Sequence, residues 1–441
     1  MNSSDHTTWF NTTWFNTIVG LGSIVVGVIG MMPAEFSFPR VQWEIFSISF
    51  ALFLFAILAK FFKRLYLEWR LEVGKASLNV APSNTSTTNF TAQLGNSQNP
   101  GFLPKAQRLT QIKPGQNPYV CGSSLRGNSA VFYGRRRELE GTLSVLRNPE
   151  KPGDISILGE RRIGKSSLLN QIYQALAAEP NVVSIYTTMQ NWSIDSQATF
   201  FTQLHQVICD ALKIQPSSTV DDYARFRDFI LDYAKKGYRF VLMIDEFERM
   251  TGNKYFDAQF FSNMRTLSNN GDYKFGYVLA SRQPLQDICE QGKIEESGFY
   301  NIFGTSHLLG LLDQKEAAQL IQEPMQRSLG YHFEQSQEIF NYAGYHPAFI
   351  QIVASEYWIA RHHGFAVNRA AFERVLQGHY QYLWQHRTET ERKLLLKIAK
   401  HEIPKNNATL EKLRQRGLVG ADNQLFARFF GQVFEKPSTT D

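Results

Sequence analysis

Cysteine is scarce. Cys121, Cys209 and Cys289 lie far apart in 441 residues, and no C-x-x-C or Cys/His cluster offers metal-ligand spacing. That excludes a disulfide framework and a thiolate metal centre, and it fits a reducing cytosol. Ten histidines are scattered without an H-E-x-x-H, so no zincin-type site is expected. An excess of one charge is also missing. Forty-six Lys and Arg against forty Asp and Glu leave +6. That balance admits phosphates, lipid head groups or nucleic acid as partners and selects none of them. The first 16 residues hold no Lys or Arg, and no A-x-A site follows. The apolar run that begins there is therefore not read as a cleaved signal peptide.

What is present begins with that run. No charge occurs from Trp14 to Ala34, and Ile45 to Ala59 is again uncharged. A membrane helix needs roughly 17–25 apolar residues. The first run meets that length, and the second does if Lys60 snorkels and Phe61 and Phe62 are counted. Trp9, Trp14, Trp43, Tyr66 and Trp69 suit interfacial belts. The reading is a two-span membrane hairpin touching lipid through residues 14–62, with a basic segment up to residue 75. Lys60, Lys63, Arg64, Arg70 and Lys75 follow the second run, which places residue 60 onward in the cytoplasm. Residues 76–116 are rich in Asn, Ser, Thr, Gln, Pro and Gly. Such a stretch is expected to be a flexible linker, because it cannot bury enough apolar surface to order itself.

Chemistry enters at residues 154–176. "DISIL" (154–158) has strand character, "GERRIGKSS" (159–167) follows, and "LLNQIYQALAA" has helical spacing. Gly159-x-x-x-x-Gly164-Lys165-Ser166 fits the phosphate-loop pattern at every fixed position. The glycines let the backbone turn its N–H groups inward, and those donors join a helix N-terminus in an anion nest. Gly159, Glu160, Arg161, Arg162, Ile163, Gly164, Lys165, Ser166 and Ser167 are thus the expected nucleotide-binding stretch. Lys165 supplies a point charge for the β- and γ-phosphates, and Ser166 a hydroxyl for Mg²⁺. A Gly-rich turn that binds nothing is the bland alternative. "YRFVLMIDEFERM" (238–250) is an apolar strand ending in Asp245-Glu246. Asp245 there suits a Mg²⁺ ligand, and Glu246 suits orienting or deprotonating an attacking water. An ordinary strand-to-turn boundary would read the same way in isolation.

The alternation continues. Strands are expected at 181–189, 274–282 and 306–312, and helices at 196–212 and 220–237. Strands alternating with helices predict an α/β fold, a P-loop NTPase parallel sheet covered on both faces. Its site should lie at the carboxyl ends of the strands.

From residue 117 to about residue 436 the chain resembles the STAND branch of the AAA+ ATPases. The resemblance rests on "NPYVCGSSLRGNSAVFYGRRREL" (117–139), the phosphate loop, Ser281-Arg282 and "AGYHPAFIQ" (343–351). It implies that Phe132, Tyr133, Gly134 and Arg135 lie along the adenine of ATP. It implies that Arg282 reads the γ-phosphate and that Pro347 lies near the base. Tyr345-His346 widens the usual lid spacing, and a helix-starting proline would look the same. Residues 283–326 contain no arginine, and the segment after Pro347 has none before Arg361. STAND proteins share both gaps. Slow hydrolysis is implied, since no arginine arrives from another subunit to offset transition-state charge.

The expected order is an ATPase domain over 117–312, a helical lid over 313–376 and a winged-helix domain over 377–437. Lys412, Arg414 and Arg416 are candidate contacts to DNA phosphates, or simply the solvated face of a helix. The leading expectation is a membrane-anchored, slowly hydrolysing nucleotide switch that is a homo-oligomer in its ATP form, with nucleic acid permitted but not favoured. A DNA-handling ATPase of the origin-recognition or transposition-helper type is one rival. A scaffold with a structural nucleotide is the other.

Overall fold

The computed structural model describes residues 89–189, 194–216, 219–402, 407–420 and 422–435. Six strands form one sheet: β1 (Phe90–Leu94), β2 (Ile155–Gly159), β3 (Val182–Thr188), β4 (Arg239–Asp245), β5 (Phe275–Ser281) and β6 (Thr305–Leu309). The order across the sheet is β1-β3-β4-β5-β2-β6. The pairs among β2 to β6 are parallel, and β1 runs antiparallel to β3, Phe90 facing Thr187 and Leu94 facing Val183.

The helices fall into three groups. Beside and within the sheet run α1 (Lys105–Leu109), α2 (Arg136–Leu146), α3 (Lys165–Leu176), α4 (Gln197–Leu212), α5 (Tyr223–Lys235), α6 (Glu248–Thr251), α7 (Ala258–Asn269) and α8 (Leu285–Gln291). The lid carries α9 (Gln314–Leu329), α10 (Ser336–Ala343) and α11 (Pro347–His363). The C-terminal part carries α12 (Arg369–Gln385), α13 (Glu389–Ala399), α14 (Ala408–Gln415) and α15 (Arg428–Glu435), with an antiparallel bridge between Val419 and Leu425.

The strands read as unbroken apolar runs because both faces are covered. Alternation along β4 sends Val241 and Met243 into one core and Phe240, Leu242 and Ile244 into the other. The first core is shared with α2, α3, the lid and the C-terminal helices. The second is aromatic, built around Phe200, Phe201, Phe226, Phe260 and Phe261 of α4, α5 and α7. Helix starts are fixed by side chains that accept from the first-turn amides. Ser196, Asp222, Asp257, Asp313 and Asn407 do so, and Thr388 forms a capping box with Glu391. Each such cap is worth about 1 kcal/mol.

Three expectations are corrected here. The membrane localisation is not upheld: among the described residues no helix is long and apolar enough to cross a membrane. The two apolar runs within 14–62 lie outside the described residues. The stretch read as a flexible linker over 76–116 is ordered from residue 89, because β1 buries Phe90 and Asn89 bonds Gln203. Alternation along β1 puts Phe90, Ala92 and Leu94 against the core, a pattern that a composition reading overlooks. Finally, the lid boundary at residue 376 falls inside α12. Tyr380 of that helix packs on Phe426 and Phe430 while its hydroxyl bonds the Tyr342 carbonyl of the lid, so one helix serves both parts.

Gly344 closes the lid on the C-terminal part. Its backbone sits at φ 56°, ψ −143°, and a Cβ there would lie 1.8 Å from the Phe426 carbonyl oxygen. Only glycine adopts this conformation readily. Gly344→Ala is expected to destabilise the fold by about 3 kcal/mol, read as a fall in urea midpoint.

Candidate nucleotide-binding site

β2 ends at Gly159 and α3 begins at Lys165, so the loop between them turns within five residues. Arg162 at φ 65° and Gly164 at φ 108° supply the left-handed turns, which rotate successive amides toward one side. No side chain caps α3, so its first amides keep the donor character that anions seek. Lys165 Nζ donates to the carbonyls of Gly159 (2.8 Å) and Glu160 (3.1 Å). Burial pushes the Lys165 pKa down, and the nearby carboxylates of Asp245, Glu248 and Glu160 oppose the shift.

β5 lies between β2 and β4, so the acidic end of β4 stands one strand away from the loop. There Ser166 donates from Oγ to Asp245 Oδ2 at 2.5 Å, and Asp245 Oδ1 accepts from the Glu246 amide at 3.0 Å. Tyr186 on β3 also donates to Asp245 Oδ2, at 3.4 Å. Burial raises the Asp245 pKa, opposed by the Ser166 hydroxyl and the Lys165 charge. A hydroxyl beside a carboxylate is a hard oxygen pair that suits Mg²⁺. Among the described residues no group of three or more His, Cys, Asp or Glu side chains could hold a metal. This pair thus fits an ion whose remaining ligands are water and phosphate oxygens. Glu246 sits at φ 55°, uncommon for a non-glycine residue, and pairs with Arg249 Nε at 2.8 Å.

A cavity of about 220 Å³ runs along the loop. Its charged lining among the described residues is cationic apart from Glu246: Arg135, Arg161, Arg162 and Lys165. Ile163, Gly164, Ser166 and Ser167 continue that wall. Its apolar lining includes Leu125, Val131, Phe132, Tyr133, Leu320 and Pro347. The Nε atoms of Arg135 and Arg162 are buried without a hydrogen-bond partner among the described residues. An orphaned buried donor costs about 1–3 kcal/mol, more when it is charged. The lining therefore favours a ligand with an anionic end and an apolar, flat end.

The sequence-derived residues divide between this cavity and its surroundings. Arg135 donates to the Gly310 carbonyl and, at 3.4 Å, to the Ile163 carbonyl, tying the loop to the segment after β6. Tyr133 donates to Glu323 of α9 at 2.7 Å. Gly134 lies beyond the lining, and its φ of 66° is the left-handed region that favours glycine. Pro347 starts α11 and lines the cavity. Gly159, Glu160, Asp245 and Arg282 are not in the lining. Glu160 is turned away from it: its carboxylate pairs with Arg387 Nη2 (2.9 Å) and Arg416 Nε (3.7 Å) of the C-terminal part. Arg282, at the end of β5, pairs with Glu248 Oε1 (2.5 Å) and donates to the Tyr382 hydroxyl (2.6 Å). The Tyr382 ring carries the Arg161 guanidinium at 4.6 Å.

Spacing gave no warning of Tyr382 and Arg387, which meet the loop from far along the chain, of Tyr186 on Asp245, or of Gln351, which lines the cavity and accepts from the Val120 amide. Arg416 had been a candidate DNA contact. It instead faces Glu160 and, at 3.6 Å, Glu391, while Arg414 pairs with Glu411 and Asn423.

Two histidines mark the seam between lid and C-terminal part. His346 stacks on Phe349 at 3.8 Å, and Phe349 stacks in turn on His379. Burial, then Arg135 and His379, pushes the His346 pKa down to about 3. Burial, then Arg162, pushes His379 to about 4. A depressed folded pKa gives stability that is complete above the unfolded value, about 6.5, and is lost as pH falls toward the folded value. Unfolding free energy is thus expected to fall by about 1.4 kcal/mol per pH unit for each histidine between pH 6 and pH 5. Urea titrations at those two pH values check this, and His346→Leu should make the dependence shallower by its own share.

The sheet order, the loop after β2 and the acid after β4 form a P-loop NTPase-like α/β fold. Residues 230–402 match the family described as Novel STAND NTPase 2, and residues 150–289 match the AAA domain. Among solved structures the chain is similar to the Walker-type ATPase PABY2304 of Pyrococcus abyssi. The identity is 16%, the TM-score 0.52, and the match covers 72% of this chain and 100% of that one. It also resembles the Aeropyrum pernix ORC2 protein, with 13% identity, a TM-score of 0.45 and coverage of 72% and 95%. No curated protein matches the sequence.

Proposed function

We propose that this chain binds ATP with Mg²⁺, hydrolyses it slowly and works as a nucleotide-dependent switch. The observation that carries the reading is the cavity along the phosphate loop, where four cations include two guanidinium groups with buried, unpartnered donors. A polyphosphate relieves those donors, and the adjoining apolar lining accepts a base. Lys165 would leave the loop carbonyls for the β- and γ-phosphates. Ser166 and Asp245 would hold Mg²⁺, which supplies neutralising charge to the phosphates. Glu246 would orient the attacking water and take its proton.

Slow turnover follows from the sparse arginine supply. Residues 283–326 contain none, and α11 has none before Arg361, so these segments add no arginine to Arg135 and Arg282 for offsetting the transition state. The switch reading is supported by the C-terminal part, which holds Glu160, Arg161 and Arg282 together. A ligand that prefers one arrangement of these groups shifts the population toward it. Full-length protein should hydrolyse Mg²⁺-ATP at a measurable but low rate, and its mass by light scattering should differ between ATP and ADP. Equal mass in both nucleotides, with hydrolysis intact, would leave an ATPase but remove the switch. The DNA-handling reading is weakened by the inward pairing of Arg414 and Arg416.

A further inference from the structure

Arg282 stands at the end of the strand between the phosphate loop and the acidic strand, yet its guanidinium is held elsewhere. Nε pairs with Glu248 Oε1, and Nη1 donates to the hydroxyl of Tyr382. Tyr382 lies one turn before the end of α12 and is separated from Arg282 by 100 residues. Its ring also supports Arg161 of the loop, and the His386 ring stacks on it at 3.9 Å, with His386 Nδ1 2.8 Å from the Tyr382 carbonyl. Five residues on, the buried Arg387 holds Glu160. One helix end thus fixes two loop residues and the arginine at the end of β5.

We propose that Tyr382 is a positioning residue that restrains Arg282. While the phenol hydroxyl accepts from Nη1, the guanidinium stays beside Glu248, and it can turn to the phosphates only when that bond breaks. The inference rests on the reading that Arg282 serves the phosphate site. It adds that the last turn of α12 sets how often Arg282 is available. Glu248 alone does not provide this link, because it lies on α6, directly after β4, and not in the C-terminal part. Tyr382 ties Arg282 to the C-terminal part.

The geometry separates the two jobs of the tyrosine. Tyr382→Phe deletes the hydroxyl and keeps the ring under Arg161, so the loop stack and the fold survive. Hydrolysis of Mg²⁺-ATP is measured for the full-length wild type, Tyr382→Phe, Arg282→Ala and the double variant. The expected result is a rise in kcat of about tenfold for Tyr382→Phe, the size of one lost hydrogen bond to a charged group, with KM nearly unchanged. Arg282→Ala lowers kcat, and in that background Tyr382→Phe changes nothing. A rise that persists without Arg282 overturns the proposal, since it reports general loosening. Wild-type kcat in Tyr382→Phe, with Arg282→Ala impaired, also overturns it while leaving the nucleotide reading intact. Unimpaired Arg282→Ala removes the role of Arg282 and the restraint with it.

Discussion

Lys165→Ala abolishes useful nucleotide binding: affinity for Mg²⁺-ATP should fall about a thousandfold, the loss of two charge-assisted hydrogen bonds of roughly 2 kcal/mol each. The ammonium is buried and donates to two loop carbonyls. Lys165 opens α3, whose first amides no side chain caps, and from there it can turn from the carbonyls to the β- and γ-phosphates. Burial depresses its pKa, so the lone protein gains little from keeping this charge inside, and the ligand gains much. The variant should therefore fold as well as the wild type while losing its response to nucleotide. Thermal unfolding with and without ATP reads both. A ligand at a hundred times its Kd adds about 2.7 kcal/mol of stability, and this increment should vanish in the variant.

Glu246→Gln should separate binding from turnover. The carboxylate is bordered by the cavity on one side and by Arg249 on the other, and its backbone is held at φ 55° beside Asp245. An amide of the same shape cannot take a proton, so hydrolysis is expected to slow by about a hundredfold or more. The Kd for ATP should move less than a few-fold, because Ser166, Asp245 and Lys165 are untouched. A switch that turns over its ligand is then trapped in its ATP form, visible as bound ATP in place of ADP after purification. A scaffold with a structural nucleotide would show no difference between the variant and the wild type.

Much of the fold around this site is legible in the sequence. "DISIL" became β2 and "YRFVLMID" became β4 within a residue or two, because central parallel strands are buried on both faces and must be continuously apolar. The phosphate loop was legible because its chemistry depends on backbone and a few fixed residue types, which spacing records. What spacing does not record is side-chain direction. Glu160 sits inside the motif and still turns toward Arg387, 227 positions away by sequence number. Arg416 looked like a solvated helix face until Glu160 and Glu391 drew it inward. β1 was hidden for a different reason. Its polar composition matches a linker, and only the open edge of β3 gives it a place to pair. Tyr382 had no signature at all: a single tyrosine on an amphipathic helix is ordinary until the arginine from β5 meets its hydroxyl.

The central claim is that the loop from Gly159 to Ser167 clasps the phosphates of ATP with the help of Ser166 and Asp245. Calorimetric titration of the folded full-length protein with ATP in the presence of Mg²⁺ tests it most directly. The account predicts saturable binding of one nucleotide per chain, with a Kd in the micromolar range or tighter that weakens sharply in Lys165→Ala. Absence of binding heat at millimolar ATP, with folding verified in the same sample, would contradict it.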